Sequence, residues 1–70
     1  MNTNLFMSCI IALGMSVESL ANKIGMHPVT LYRKLSGKSD FTRKEILSIC
    51  YELKLDSEQM ERIFFDEKLA

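Results

Sequence analysis

The chain has 70 residues, with nine basic and nine acidic side chains and a net charge of zero. This length suits a single domain with a small core, and the ordinary apolar content excludes an intrinsically disordered chain. A neutral total argues weakly against a nucleic-acid partner, so the distribution of the charges becomes the deciding observation.

The charged side chains are unevenly distributed. Residues 1–16 carry none, residues 17–44 carry a net charge of +4, and residues 45–70 carry a net charge of −4. A polyanion responds to the local field rather than to the total charge. The basic middle of the chain is therefore compatible with binding to DNA.

The first predicted helix runs from about Leu5 to Leu13, with Thr3 or Asn4 as its N-cap and Gly14 after its end. It is apolar almost all round, which indicates burial on more than one side. A secretory signal is the alternative, but the segment lacks a basic start and is much shorter than the ~20 residues of a membrane span. We therefore expect a cytoplasmic protein with no membrane partner.

Two short helices joined by a tight turn follow. The first, Val17–Ile24, has its apolar residues on one face and ends before Gly25, where the turn requires a positive φ. Pro28 begins the second, because proline is tolerated at the first position of a helix. This second helix is predicted to extend to about residue 36.

The helix over residues 28–36 has a narrow apolar seam formed by Leu31 and Leu35. At ~100° per residue, Arg33 then points almost directly away from the core. A short helix with an outward arginine, supported by a preceding packed helix, is the geometry of a helix-turn-helix, whose second helix enters the major groove of DNA. An ordinary helical hairpin with a solvated face is the alternative.

Leu20-Ala21, Ile24-Gly25 and Leu31 occupy the apolar and glycine positions of a helix-turn-helix. Together with the segment YRKLSGKSDFT over residues 32–42, they resemble the small Cro/C1-type phage repressors. The resemblance extends over about residues 14 to 65. It implies an all-α, lambda repressor-like compact bundle of about five helices. It also implies that the protein binds double-stranded DNA, at a near-palindromic operator, as a homodimer.

The chain departs from the family pattern at three places. Val17 replaces a frequently polar residue, so a side-chain contact to a phosphate is lost there. Lys34 occupies a position that is often apolar, and Leu35 takes over its packing. The first helix lacks the basic residues that are usual in the family.

The DNA-binding interpretation assigns roles to individual side chains. The guanidinium of Arg33 suits the O6 and N7 acceptors of guanine, and Val29 suits a thymine methyl group. Other side chains contact phosphates, which positions the helix without reading sequence. The base-facing candidates are Pro28, Val29, Tyr32 and Arg33, and the phosphate candidates are His27, Thr30, Lys34, Ser36, Lys38, Arg43 and Lys44.

Two further helices are predicted over residues 43–53 and 57–66. Ser16, Thr42 and Asp56 are the predicted N-caps of the second, fourth and fifth helices, each flanked by a hydrophobic staple. The fourth and fifth helices also carry a Glu or Gln three residues after the cap, as a capping box requires.

Two apolar features lack an obvious partner within the chain. One is the outer face of the first helix, represented by Phe6 and Ile10, and the other is Phe65 with Leu69 near the C-terminal end. These four residues are the candidate dimer interface. The alternative function is a protein-interaction module on the same scaffold, such as an antitoxin or anti-repressor, using the first helix and the acidic C-terminal region.

The sequence gives little support for catalysis. Cys9 and Cys50 lie far apart with no metal-ligand or disulfide spacing, and we expect them to be buried, reduced thiols. His27 has no obvious carboxylate or cysteine partner, and no glycine-rich phosphate loop occurs. We therefore expect no enzyme activity, no cofactor, no metal and no small-molecule substrate.

Overall fold

The computed structural model describes residues 1–65, which form five α-helices. They are α1 (Thr3–Ala12), α2 (Val17–Ile24), α3 (Pro28–Leu35), α4 (Arg43–Leu53) and α5 (Ser57–Phe64). The prediction of an all-α bundle is confirmed, and α2 and α4 have the bounds that the sequence predicted.

The bounds of the other helices differ slightly from the predicted ones. The side chain of Asn2 caps α1 by accepting a hydrogen bond from the Leu5 N–H at 3.1 Å, so the helix begins earlier than predicted. α3 ends at Leu35, with Ser36 as its C-cap. α5 ends at Phe64, with Phe65 as its C-cap, which is earlier than predicted, and the predicted last residue, Asp66, lies outside the described residues.

The three predicted N-caps are confirmed. The side chains of Ser16, Thr42 and Asp56 each accept a hydrogen bond from the backbone N–H three residues later. The side chain at that later position in turn accepts a bond from the N–H of the cap residue, which completes a capping box. In α2 this second acceptor is Ser19, which was not expected because glutamate and glutamine usually fill the position.

The hydrophobic core is formed by side chains from all five helices. α2 packs against both α3 and α4, and α1 packs against α5. Ala21, at the centre of α2, is fully buried, which suits the close approach of two helices. The buried core residues are Phe6, Ile10, Val17, Leu20, Ala21, Leu31, Ile49, Leu53 and Ile63.

The rotation of α1 contradicts one prediction. Phe6 and Ile10 are fully buried in the core, so their assignment to an outer, dimer-forming face is wrong. The face of α1 that is open to solvent instead carries Ile11, which is 68% exposed, and Leu13 follows at 44%. Asn4 and Ser8 lie one turn apart on this exposed side, but a helix predicted to begin at Leu5 omits the first of them and so shows no polar stripe.

Within residues 1–65, no single helix is both long enough and apolar enough to cross a bilayer. α1 and α2 satisfy the length and composition requirements only as a pair, and they are bent by 86° relative to one another.

A chain of aromatic rings connects the loop between α3 and α4 to the core. Phe41 packs edge-to-face on Phe64, with centroids 5.3 Å apart, and Phe64 packs in the same way on Phe6 at 6.3 Å. Such pairs contribute about 0.5–1.5 kcal/mol each beyond their buried area. The loop after α3 is therefore anchored to α1 and α5.

Gly25 makes the turn between α2 and α3. It adopts the left-handed conformation, with φ +72° and ψ +33°, and its N–H donates to the Asn22 carbonyl at 3.2 Å. The following N–H, from Met26, donates to the Ala21 carbonyl at 2.9 Å. These bonds satisfy the last carbonyls of α2 and set the direction in which α3 begins.

Replacing Gly25 by Val should lower the free energy of unfolding by about 1–3 kcal/mol, because a β-branched residue is strained at positive φ. A β-carbon at this position would meet no neighbouring atom within 4 Å. The loss of stability would therefore come from backbone strain and not from a steric clash. Lys54, a non-glycine residue at φ +56°, provides the reverse test, since Lys54→Gly should stabilise the domain. Thermal unfolding measures both, and an unchanged melting temperature for Gly25→Val would contradict the prediction.

Candidate nucleic-acid interface

The rotation of α3 is set by the residues that it buries. Leu31 is fully buried in the core against α2, and Leu35 is half-buried one turn later. The opposite side of the helix therefore faces solvent, as the apolar seam predicted.

The solvent-facing side of α3 carries most of the predicted base-reading residues. Val29 is 58% exposed, Arg33 lies one turn later and is also exposed, and Tyr32 is 49% exposed. Thr30, a phosphate candidate, is exposed beside them, whereas Pro28 is half-buried. The exposed face of α3 thus presents an apolar side chain and, one turn later, a guanidinium.

His27 is the N-cap of α3. Its Nδ1 accepts a hydrogen bond from the Val29 N–H at 3.1 Å. In the neutral imidazole the ring proton must then be on Nε2, which leaves an exposed donor at the start of α3. The sequence did not predict this cap, because histidine is not among the preferred N-cap residues.

The remaining phosphate candidates lie where α3 ends and α4 begins. The Ser36 hydroxyl and the Lys38 N–H both donate to the Arg33 carbonyl, at 2.9 and 3.0 Å. The side chains of Lys38, Arg43 and Lys44 are exposed, the last two in the first turn of α4. The loop after α3 therefore carries one exposed cation, and two more follow it directly at the start of α4.

Lys34 differs from the other predicted phosphate-contacting residues. Its side chain is only 12% exposed, and its ammonium lies 3.2 Å from Glu45 Oε1 and donates to the Asp40 carbonyl at 2.8 Å. It also lies 5.9 Å from the centroid of the Phe41 ring. The assignment of Lys34 to a phosphate is corrected accordingly, because the side chain is largely buried and two of the three ammonium donors are already bound within the chain.

Glu45 connects the cap of α4 to α3. Burial raises the pKa of this carboxyl, but the N–H of Thr42 and the ammonium of Lys34 both bind the ionised form. The net result is a pKa below the ordinary value. The carboxylate thus holds the C-terminal end of α3 beside the N-terminus of α4.

The Lys34–Glu45 contact should make stability depend on pH. Because the pKa of Glu45 is lower in the folded state, its contribution is complete above the unfolded pKa of about 4.3 and disappears as the pH falls through the folded pKa. Glu45→Gln should lower the free energy of unfolding at pH 7 by up to about 1 kcal/mol. Urea unfolding between pH 7 and pH 3 should show this difference shrinking toward acid.

Lys34→Met serves as the control for that experiment. Without the ammonium, the effect of Glu45→Gln should depend less on pH, and the dependence that remains comes from the hydrogen bond of the Thr42 N–H. A difference between wild type and Glu45→Gln that stays constant from pH 7 to pH 3 would contradict the assignment.

One contact at this surface is not predicted by the sequence pattern. The hydroxyl of Tyr32 donates a hydrogen bond to Glu18 Oε2 on α2 at 3.1 Å. This bond, with partial desolvation and the negative charge of Glu18, raises the pKa of the Tyr32 phenol above its ordinary value. The two residues are 14 positions apart on different helices, so only the packing of α2 on α3 brings them together.

The cysteines show no arrangement that could bind a metal. Within residues 1–65, no group of three or more His, Cys, Asp or Glu side chains is placed to hold an ion. Cys9 and Cys50 are half-buried free thiols, and burial raises the pKa of Cys50. Both are less buried than expected, and Cys9 packs against the core.

Comparison with known proteins agrees with the geometry of α2 and α3. The family model of the Cro/C1-type HTH DNA-binding domain matches residues 8–64, which is most of the chain. No curated protein and no solved structure matches the chain significantly. The chain therefore belongs to the Cro/C1-type helix-turn-helix family of DNA-binding domains.

Proposed function

We propose that this protein is a sequence-specific transcriptional regulator that inserts α3 into the major groove of double-stranded DNA. The observation that carries the proposal is the exposed Val29–Arg33 face of α3, which is held outward by the burial of Leu31. A guanidinium and a small apolar group there suit guanine and a thymine methyl. His27, Thr30, Lys38, Arg43 and Lys44 would contact phosphates on either side, and Ser36 would do so when its hydroxyl turns away from the Arg33 carbonyl.

The regulator would act in the cytoplasm as a repressor, of the kind found in phages and mobile elements. Occupying a promoter requires only DNA affinity, whereas activation requires a second surface that recruits polymerase. A reporter gene whose promoter contains the DNA sequence that the protein binds should therefore lose expression when the protein is present. Increased expression would contradict the repressor assignment.

The regulator would bind as a homodimer to a near-palindromic operator. One α3 of eight residues contacts only a few base pairs, too few to select one site in a genome. Two-fold symmetry would place the two copies of α3 about 34 Å apart, one turn of DNA. Phe65, 56% exposed, borders an apolar depression that Ile46, Leu47 and Met60 also line, which supports this end of the bundle as the interface. Leu69, the other predicted residue, lies outside the described residues.

Phe65→Glu should yield a folded monomer that binds the operator about 100-fold more weakly. A monomer loses the gain in affinity that a dimer obtains by binding both half-sites at once. Light scattering with and without operator, together with a binding titration, measures both effects. Tyr51→Glu, a charge placed on an aromatic that is 81% exposed on α4, is the matched control and should leave the dimer intact. A wild type that stays monomeric on DNA and occupies one half-site would contradict the dimer.

Selection from a random duplex library is the direct test of the proposed function. Enrichment of a short, near-palindromic motif is expected. Failure to enrich any motif, with no binding at low salt, would contradict sequence-specific regulation.

The second candidate is a protein-interaction module such as an antitoxin or anti-repressor. It is favoured by Ile11 and Leu13, apolar side chains at the solvent side of α1 and just after it. The same selection distinguishes the two functions, because an interaction module without DNA specificity should enrich no motif.

A further inference from the structure

Glu18 is an unusual residue at the surface that would face DNA. It is the only acidic side chain among residues 1–39. It lies in the first turn of α2, is exposed, and accepts the hydroxyl proton of Tyr32 at 3.1 Å. Tyr32 in turn immediately precedes Arg33 on α3. A carboxylate is therefore held next to the recognition face, where it must weaken the general attraction for phosphates.

The hydrogen bond determines which partners the pair can take. A phenol has one proton, and Tyr32 gives it to Glu18, so the remaining capacity of its oxygen is to accept. An ionised carboxylate is likewise an acceptor only. Beside the donor-only guanidinium of Arg33, the pair presents a small surface that can bind only hydrogen-bond donors.

The major groove offers two such donors, the N4 amino group of cytosine and the N6 amino group of adenine. In adenine the amino group lies beside N7, an acceptor that would repel a second acceptor on the protein. Cytosine has no acceptor at the corresponding edge. Guanine presents only acceptors in this groove and would be rejected.

We propose that Glu18 and Tyr32 form a specificity-determining pair that accepts the amino group of a cytosine, at a base pair close to the one that Arg33 reads. The inference rests on the proposed function, because it requires α3 to lie in the major groove. It goes beyond that function by assigning a residue of α2 to base recognition. It also gives the lone carboxylate a role: it discriminates between bases while lowering affinity for DNA in general.

The test uses Tyr32→Phe and Glu18→Gln, which remove the hydroxyl and the charge with little change of shape. Because both side chains are exposed, the free energy of unfolding should change by no more than about 0.5 kcal/mol, which shows that the variants fold. Tyr51→Phe and Glu61→Gln are the matched controls, since they make the same changes at exposed positions on α4 and α5. Each protein is titrated with the selected operator and with duplexes carrying every base at each position.

Either variant should lower the preference for cytosine at one position by about fivefold to tenfold, the effect of losing one base contact. The double variant should lose little more than the stronger single variant, because the two groups act as a unit. Glu18→Gln should also bind random duplex more tightly than wild type does. The control variants should retain the wild-type preferences.

The possible failures are distinguishable. If wild type enriches a motif but both variants keep its base preferences, the pair does not determine specificity and the proposed function stands. A preference for adenine, guanine or thymine at the affected position would overturn the assignment to cytosine. If wild type enriches no motif, the proposed function fails and this inference fails with it.

Discussion

Arg33→Ala is expected to weaken operator binding by about 1–3 kcal/mol and to relax the base preference at one position. Arg33 lies on the exposed face of α3, opposite the buried Leu31, where it can make a bidentate contact with guanine. Removing it should leave the fold intact, because the side chain contributes nothing to the core. Titrations on matched and mismatched duplexes at several salt concentrations measure the effect.

Lys38→Ala is the control that separates base reading from phosphate binding. Lys38 is exposed in the loop after α3, and its loss should weaken binding to all sequences alike. The slope of log affinity against log salt should fall by about one charge. Equal and sequence-independent losses for both variants would show that Arg33 does not read a base.

Ile10→Glu is expected to prevent folding. Ile10 is fully buried among residues of the single core, and an unpaired carboxylate there costs several kcal/mol. That is comparable with the whole stability of a small domain, which is about 5 kcal/mol or slightly more. Far-ultraviolet circular dichroism should show a largely unfolded chain at 25 °C.

Ile11→Glu is the matched control, since it makes the same change at the next residue of α1. Ile11 is 68% exposed, so its replacement should alter the free energy of unfolding by no more than about 0.5 kcal/mol. If Ile11→Glu unfolded the protein and Ile10→Glu did not, α1 would have to be rotated about its axis by about 100° from the orientation described above.

The parts of the fold that the sequence predicts well are those set by local chemistry. The bounds of α2 and α4 follow from caps at Ser16 and Thr42, whose side chains bond to backbone groups three residues away. The positive φ of Gly25 likewise follows from its place after a short amphipathic helix. The exposed position of Arg33 needed only the helical period and two leucines.

The parts that the sequence predicts poorly depend on contacts between elements. α1 carries only two polar side chains on its solvent side, Asn4 and Ser8, and its overall apolar composition therefore does not place Phe6 and Ile10 in the core. Lys34 was assigned to DNA by its charge alone, although Glu45 and the Asp40 carbonyl already bind its ammonium. The sequence likewise does not predict a role for Glu18, because its hydrogen-bonding partner, Tyr32, is on another helix.

The attachment of α3 on two sides has a calorimetric consequence. Tyr32 ties it to Glu18 of α2, Lys34 ties it to Glu45 of α4, and His27 closes its first turn in the free protein. The conformational entropy of this helix is therefore lost on folding rather than on binding. The heat capacity change of association should then equal the value expected from the surface area that two rigid partners bury. It should not reach the larger negative value that is seen when a segment folds on its target.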